Sequence, residues 1–176
     1  MCQKIGFSLI IEFGLLYIRT LPDIVKRGTS QFREAVCKKM LKILIVEDEF
    51  ISRMLLKEML APFGECETAQ DGREAVELIS KSYSDSERKF DLVCLDIMMP
   101  KMNGHQVLKE IRRIENNKSL KGNQTTKILM ITALDDTQNI MEALVVGRCE
   151  AYMTKPISRT KLEEQLRNLC LIDMES

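Results

Sequence analysis

The chain has 176 residues, 45% of them hydrophobic and 30% charged, which excludes a disordered segment and suits one core of ordinary domain size with some chain to spare. Its 26 basic and 26 acidic residues cancel, so no overall field argues for direct nucleic-acid binding. The balance is uneven: residues 1–40 hold seven basic side chains against three acidic ones, which marks a separate piece ahead of an acidic remainder. The six cysteines form no Cys-x-x-Cys pair and are accompanied by a single His, which is poor spacing for a metal site or a disulfide framework. They read as buried, reduced thiols of a cytoplasmic protein.

The first element is an apolar run from Ile5 to Ile18. It is too short for an ordinary membrane span of about 20 residues, and Glu12 near its middle is costly in lipid. On a helix, Lys4, Ser8, Glu12 and Arg19 share one narrow stripe and the rest is apolar. Three readings stay open: a docking helix, a membrane contact through residues 1–20, and an upstream extension of no function. The last is suggested by Met40-Leu41-Lys42-Ile43-Leu44, which has the look of a protein start. No clear small-residue cleavage site follows to support a secretory signal.

From residue 41 the pattern alternates strand and helix. Residues 42–46 are a continuous apolar run of the buried parallel type. Residues 50–60 set Ile51, Met54, Leu55 and Met59 at helical spacing, closed by Pro62 and Gly64. A short strand near 65–69 precedes the Asp71-Gly72 turn. A helix over 73–81 follows, then a polar loop over 82–89 and a third strand over 91–96. Met99-Pro100 and Asn103-Gly104 punctuate the next loop. A helix then presents Val107, Leu108, Ile111 and Ile114, followed by a polar loop over 116–125 and a strand over 127–132. A helix near 136–146 is capped by Asp135-Asp136. A fifth strand over 151–154 leads to Ser158, which caps a last helix with Leu162, Leu166 and Leu169 inward. Five strands alternating with five helices predict an α/β, doubly wound parallel sheet with helices on both faces. The division is an extension over 1–40, the sheet domain over 41–172 and a tail over 173–176.

Charged residues gather where strands end. Glu47-Asp48 ends the first strand, Asp96 the third, and Lys155 the fifth. In an open parallel sheet these ends are where ligands bind. Strands one and three are expected neighbours, so Glu47, Asp48 and Asp96 should converge, with Asp96 the most buried. Two like charges about 4 Å apart cost roughly 4 kcal/mol at an effective dielectric near 20. A divalent cation would neutralise them, and Mg²⁺ suits a few carboxylates with waters and phosphate oxygens. Asp96 could then act as a nucleophile toward phosphorus, with Lys155 and the Thr132 hydroxyl supplying positive charge and a donor at the same rim.

Glu47-Asp48, the run Asp96-Ile97-Met98-Met99-Pro100-Lys101-Met102-Asn103-Gly104, Thr132-Ala133 and Lys155-Pro156 together resemble the receiver domain of two-component response regulators, in order and spacing across residues 41–172. The resemblance implies a flavodoxin-like, CheY-like fold. It implies phosphorylation of Asp96 by a sensor histidine kinase or a histidine phosphotransfer protein, with Mg²⁺ held by Glu47, Asp48, Asp96 and the Met98 backbone carbonyl. Thr132, Ala133 and Lys155 match the phosphoryl-binding and switch positions, and Tyr152 the aromatic switch. A cis Lys155–Pro156 bond is also implied. Output would pass to a downstream protein target through the helix at 136–146, the fifth strand and the last helix, because no DNA-binding element follows before Ser176. Self-phosphorylation and self-hydrolysis would be modest, a signalling rather than an enzymatic role.

The chain departs from the pattern at Arg148, where the family often has Gly after its fourth helix. Asn103 replaces a commoner Asp. The loops at 82–89 and 116–125 look longer than typical. His105 reads as solvent-exposed, and Met98, Met99 and Met102 as loop-packing residues rather than copper ligands. Three other functions fit these residues less well. A haloacid-dehalogenase-like phosphatase wants an acid where Met98 stands. A flavodoxin wants Ser, Thr and Gly where Glu47-Asp48-Glu49 stands. A module that had lost phosphorylation would not keep the acid, Thr and Lys set.

Overall fold

The computed structural model describes residues 40–84, 88–133 and 148–173. The apolar N-terminal run, the Asp135-Asp136 cap and the helix expected at 136–146 lie outside the described residues. The elements are β1 (Leu41–Val46), α1 (Phe50–Leu60), β2 (Gly64–Ala69), α2 (Gly72–Ser84), β3 (Leu92–Asp96), α3 (Gly104–Asn117), β4 (Lys127–Thr132), β5 (Ala151–Thr154) and α4 (Arg159–Asn168), with a short 3-10 turn at Gly122–Gln124. Among the described residues no helix is long and apolar enough to cross a membrane.

The strands run parallel in the order β2-β1-β3-β4-β5. Every residue of β3 is buried, and almost all of β1 and β4, because helices cover both faces. Alternate strand residues feed two cores. Leu44, Val46, Val93, Leu95, Ile128 and Met130 pack with Ala75 and Ile79 of α2 and with Val107, Leu108 and Ile111 of α3. Ile43, Ile45, Leu92, Leu129 and Ile131 pack with Leu56 and Leu60 of α1 and with Leu162 and Leu166 of α4. Each large apolar side chain hidden this way contributes about 1.5–3 kcal/mol.

Local sequence sets the helix starts. Asn103 caps α3 by accepting from Gln106 N, and the Gln106 side chain accepts in return from Asn103 N. Ser158 caps α4 by accepting from Lys161 N. Glu49 caps α1 through Ile51 N and Ser52 N, and these donors hold its carboxyl below the usual range.

Several expectations need correction. The face of α1 turned to the sheet is Leu56, Leu60 and part of Met59, while Phe50, Ile51, Met54 and Leu55 are exposed. α1 is apolar on more than one side, so its spacing did not choose the face. α2 continues to Ser84 rather than ending at 81. The Ser82 and Ser84 hydroxyls donate back to the carbonyls of Ile79 and Ser80, and Tyr83 is anchored by Glu115. His105 is buried, with neither ring nitrogen hydrogen-bonded; it continues the stripe of Leu108 one turn toward the start of α3. Met99 is buried and Met102 packs on the core, but Met98 stands exposed. Among the described cysteines, Cys94 and Cys149 are buried, Cys66 is half-buried, Cys170 is exposed, and all are free.

Arg148 adopts a left-handed backbone with φ 57°. That conformation costs a non-glycine residue about 1 kcal/mol or somewhat more. Part of the cost is offset because the Arg148 carbonyl accepts from Arg112 Nε at 3.2 Å and Nη2 at 2.8 Å.

Candidate functional site

β1 and β3 are hydrogen-bonded neighbours whose following loops leave toward opposite faces of the sheet, and a crevice forms at such a point. Glu47 directly follows β1, Asp96 closes β3, Thr132 closes β4, and Lys155 directly follows β5. Parallel strands carry all four to one end of the sheet. Backbone pairing fixes the rim further, as Lys155 N donates to the Thr132 carbonyl at 2.8 Å.

Lys155 Nζ lies 2.7 Å from Glu47 Oε2 and 2.9 Å from Asp96 Oδ2. One ammonium thus bridges two carboxylates. Asp48 completes the acidic group: one carboxylate oxygen from each of Glu47, Asp48 and Asp96 lies within 4.8 Å of the others. The other Asp96 oxygen, Oδ1, accepts from Met98 N at 3.1 Å. Glu47 at 1% exposure is more hidden than Asp96 at 4%, which reverses the expected order.

Burial pushes the Glu47 carboxyl above its usual range, and Asp96 beside it pushes the same way against the hydrogen bond from Lys155. Burial also works against the Lys155 ammonium, but the hydrogen bonds it donates to Glu47 and Asp96, with their negative charge, outweigh it and hold Lys155 above its usual range. The site therefore holds three carboxyl groups against one ammonium, a local excess of negative charge.

Mg²⁺ binds oxygen at about 2.0–2.1 Å, so oxygens on one ion lie no more than about 4.2 Å apart. The three carboxylate oxygens lie within 4.8 Å of one another, up to about 0.6 Å beyond that limit, a gap closed by a side-chain rotation or a bridging water. The residues present fit the ion. The Met98 backbone borders the same pocket.

Two features of the site were not anticipated. Arg53, on α1, donates from Nη1 to the Glu47 carbonyl at 2.6 Å and the Asp48 carbonyl at 3.1 Å, which fixes the backbone of the acid pair. An Arg six residues after an acid carries no sequence signal of that kind. Gly104 is required by close approach: a Cβ there would meet the Asp96 carbonyl oxygen at 2.3 Å and the Ile97 Cα at 2.9 Å. Glycine thus lets α3 begin directly against the strand that carries Asp96.

Thr132 is fully buried at the end of β4, and Ala133 beyond it is exposed. Tyr152 is half-buried on β5, paired in register with Met130 and packed on the α2–α3 core. The Lys155–Pro156 peptide bond is cis.

Chemotaxis protein CheY of Thermotoga maritima is 32% identical over 130 residues, covering 73% of this chain and 96% of that protein. A probable transcriptional regulator, ycf27, of Cyanophora paradoxa is 35% identical over 129 residues, 73% of this chain but 47% of that protein. The chain spans about half the length of the curated ycf27 relatives it matches. Among solved structures, the CheX–CheY complex with BeF3 and Mg from Borrelia burgdorferi matches at 27% identity and TM-score 0.63, covering 74% of this chain and 89% of that one. The receiver domain of Ssk1, crystallised with the histidine phosphotransfer protein Ypd1 of Saccharomyces cerevisiae, shares the fold at 24% identity and TM-score 0.64, covering 74% and 88%. Residues 43–167 match the response regulator receiver domain, and with the parallel five-stranded sheet and its acidic crevice this chain belongs to that family.

Proposed function

We propose that the chain accepts a phosphoryl group on Asp96 from the phosphohistidine of a sensor kinase or phosphotransfer protein, and that the modification switches a protein-binding face. The observation that carries this reading is Lys155 Nζ, seated between Glu47 and Asp96 at 2.7 and 2.9 Å with Asp48 beside them. An Asp96 carboxylate oxygen attacks phosphorus. The phosphorus–nitrogen bond of the donor breaks, and the leaving imidazole nitrogen takes up a proton. The product is an acyl phosphate, with no change of oxidation state.

Positioning and electrostatics do most of this work. Lys155 holds one Asp96 oxygen and remains beside the incoming phosphoryl oxygens. Mg²⁺ held by Glu47, Asp48, Asp96 and the Met98 carbonyl would supply neutralising charge. The Thr132 hydroxyl donates to the new phosphoryl group, and Tyr152 on the adjacent strand follows that movement. The switch biases two conformations of the face carried by β5 and α4.

The donor would dock on the apolar surface of α1. Phe50, Ile51, Met54 and Leu55 are exposed there, and Met98 is exposed at the crevice itself. An exposed apolar helix face on the element that directly follows Glu47 and Asp48 suits a helical donor that must bring its histidine to Asp96. On this reading residues 41–172 are the receiver unit, 1–40 an extension and 173–176 a tail, in a cytoplasmic protein whose self-phosphorylation and hydrolysis are modest.

Incubation with Mg²⁺ and acetyl phosphate, followed by intact mass, tests the chemistry. One phosphoryl adduct is expected on the native chain and none on Asp96→Asn. An adduct that persists in Asp96→Asn would show that another residue is the acceptor.

A further inference from the structure

A second concavity opens at the end of the sheet farthest from Asp96. Lys127 begins β4 and Glu150 immediately precedes β5, so the N-terminal strand ends frame it, together with the last turn of α3. Its volume is about 790 Å³, within the range of about 300–1,000 Å³ common for small-molecule sites.

The charge in this pocket is unbalanced. Its two carboxylates, Glu115 and Glu150, are both taken by Arg112, at 2.7 and 2.8 Å. Arg112 spends its remaining donors on the carbonyls of Thr126 and Arg148, so it is framework. Arg113 is paired with Glu110. Lys121, Lys127 and Arg148 also line the pocket and form no ion pair among the described residues. Three cations around one hollow repel one another, and a multiply charged anion removes that repulsion. A guanidinium matches phosphate with two parallel donors, and lysines add point charge. Leu120 gives the wall an apolar stretch, and Asn117 and Thr125 offer neutral hydrogen-bonding groups. A half-open hollow of this extent suits a compact ligand better than a nucleic-acid backbone, which needs a longer charged stripe.

We propose that this pocket binds a small molecule carrying two or more phosphate groups, independently of the acidic crevice. Arg148 is placed for that role in a backbone conformation that favours glycine, so its side chain is kept against local preference.

Calorimetric titration of the full chain with inorganic tripolyphosphate tests this, in Mg²⁺-free buffer at about 0.15 M salt. One site per chain is expected. Arg148→Gly combined with Lys121→Gln should weaken it by about tenfold or more. Lys57→Gln with Lys161→Gln, which removes equal charge from exposed positions elsewhere, should leave it within about twofold, as should Asp96→Asn. Arg148→Lys keeps the charge without the two-donor fork and should bind more tightly than Arg148→Gly but less tightly than the native chain, separating lost chemistry from a disturbed fold. No binding, or equal weakening in both double variants, would overturn the proposal. So would tighter binding of a single-stranded oligonucleotide than of tripolyphosphate, which would make the surface a nucleic-acid contact instead.

Discussion

Glu115 and Glu47 are each 1% exposed, yet their surroundings are opposites. Glu115 accepts from the Tyr83 hydroxyl at 2.6 Å, Thr126 N at 2.7 Å and Arg112 Nη1 at 2.7 Å. Tyr83 also meets Thr126 Oγ1 at 2.7 Å, and Thr126 Oγ1 donates to the Phe90 carbonyl at 3.0 Å. This network ties α2, α3 and the start of β4 together with its charge closed. Glu47 shares a single ammonium with Asp96 and has Asp48 beside it. A buried charge whose hydrogen bonds are complete serves the fold, while one left short of counter-charge is poised for a ligand.

The largest way to break the comparison is at the closed end. Arg112→Met removes the counter-charge of Glu115 and frees the Arg148 carbonyl. Urea denaturation should show a loss of about 3–5 kcal/mol, while acetyl phosphate still modifies Asp96 in whatever fraction stays folded. A loss below about 1 kcal/mol would place this cluster among ordinary surface pairs.

At the open end the same kind of change should have the opposite sign. Glu47→Gln removes a carboxyl that burial disfavours, and in Mg²⁺-free buffer it should stabilise by about 1 kcal/mol near neutral pH. A carboxyl raised in the folded state keeps its proton after the unfolded chain has lost its own. Its contribution to stability is therefore present below its ordinary value of 4.5 and declines as pH rises through the higher folded value. Thermal melts across that range should slope downward for the native chain and lie flatter for Glu47→Gln. A variant less stable than the native chain without Mg²⁺ would mean that Glu47 serves the fold as Glu115 does.

The smallest effect lies at the margin of the closed end. Arg148→Gly relieves the left-handed backbone and should add up to about 1 kcal/mol. Since the Arg112 contacts reach the carbonyl of residue 148, they survive the change. An unchanged melting temperature would show that the left-handed backbone carries no such cost at residue 148.

The open end was legible in sequence because parallel strands buried on both faces are continuous apolar runs. The charged residue that stops each run marks a strand end, and parallel pairing gathers those ends. Hence the sequence alone groups Glu47, Asp48, Asp96 and Lys155 at one rim. The closed end was not legible. Glu115 looks like one more polar residue after Ile114, and its partners Tyr83 and Thr126 lie 32 and 11 residues away. Only the packing of α2 on α3 brings Tyr83 to it. α1 misled for a different reason: Ile51, Met54 and Leu55 keep helical spacing as well as Leu56 and Leu60 do, and contact with the sheet selects the second set. The burial of His105 likewise follows from its place one turn before Leu108 rather than from its residue type.

Magnesium titration, followed by calorimetry or amide shifts, tests the central claim most directly, because that claim is the uncompensated charge around Asp96. The account predicts one Mg²⁺ bound per chain, with shifts centred on residues 47, 48, 96 and 98, and loss of that binding in Asp48→Asn. An unchanged isotherm in Asp48→Asn, or no magnesium bound by the native chain, would contradict it.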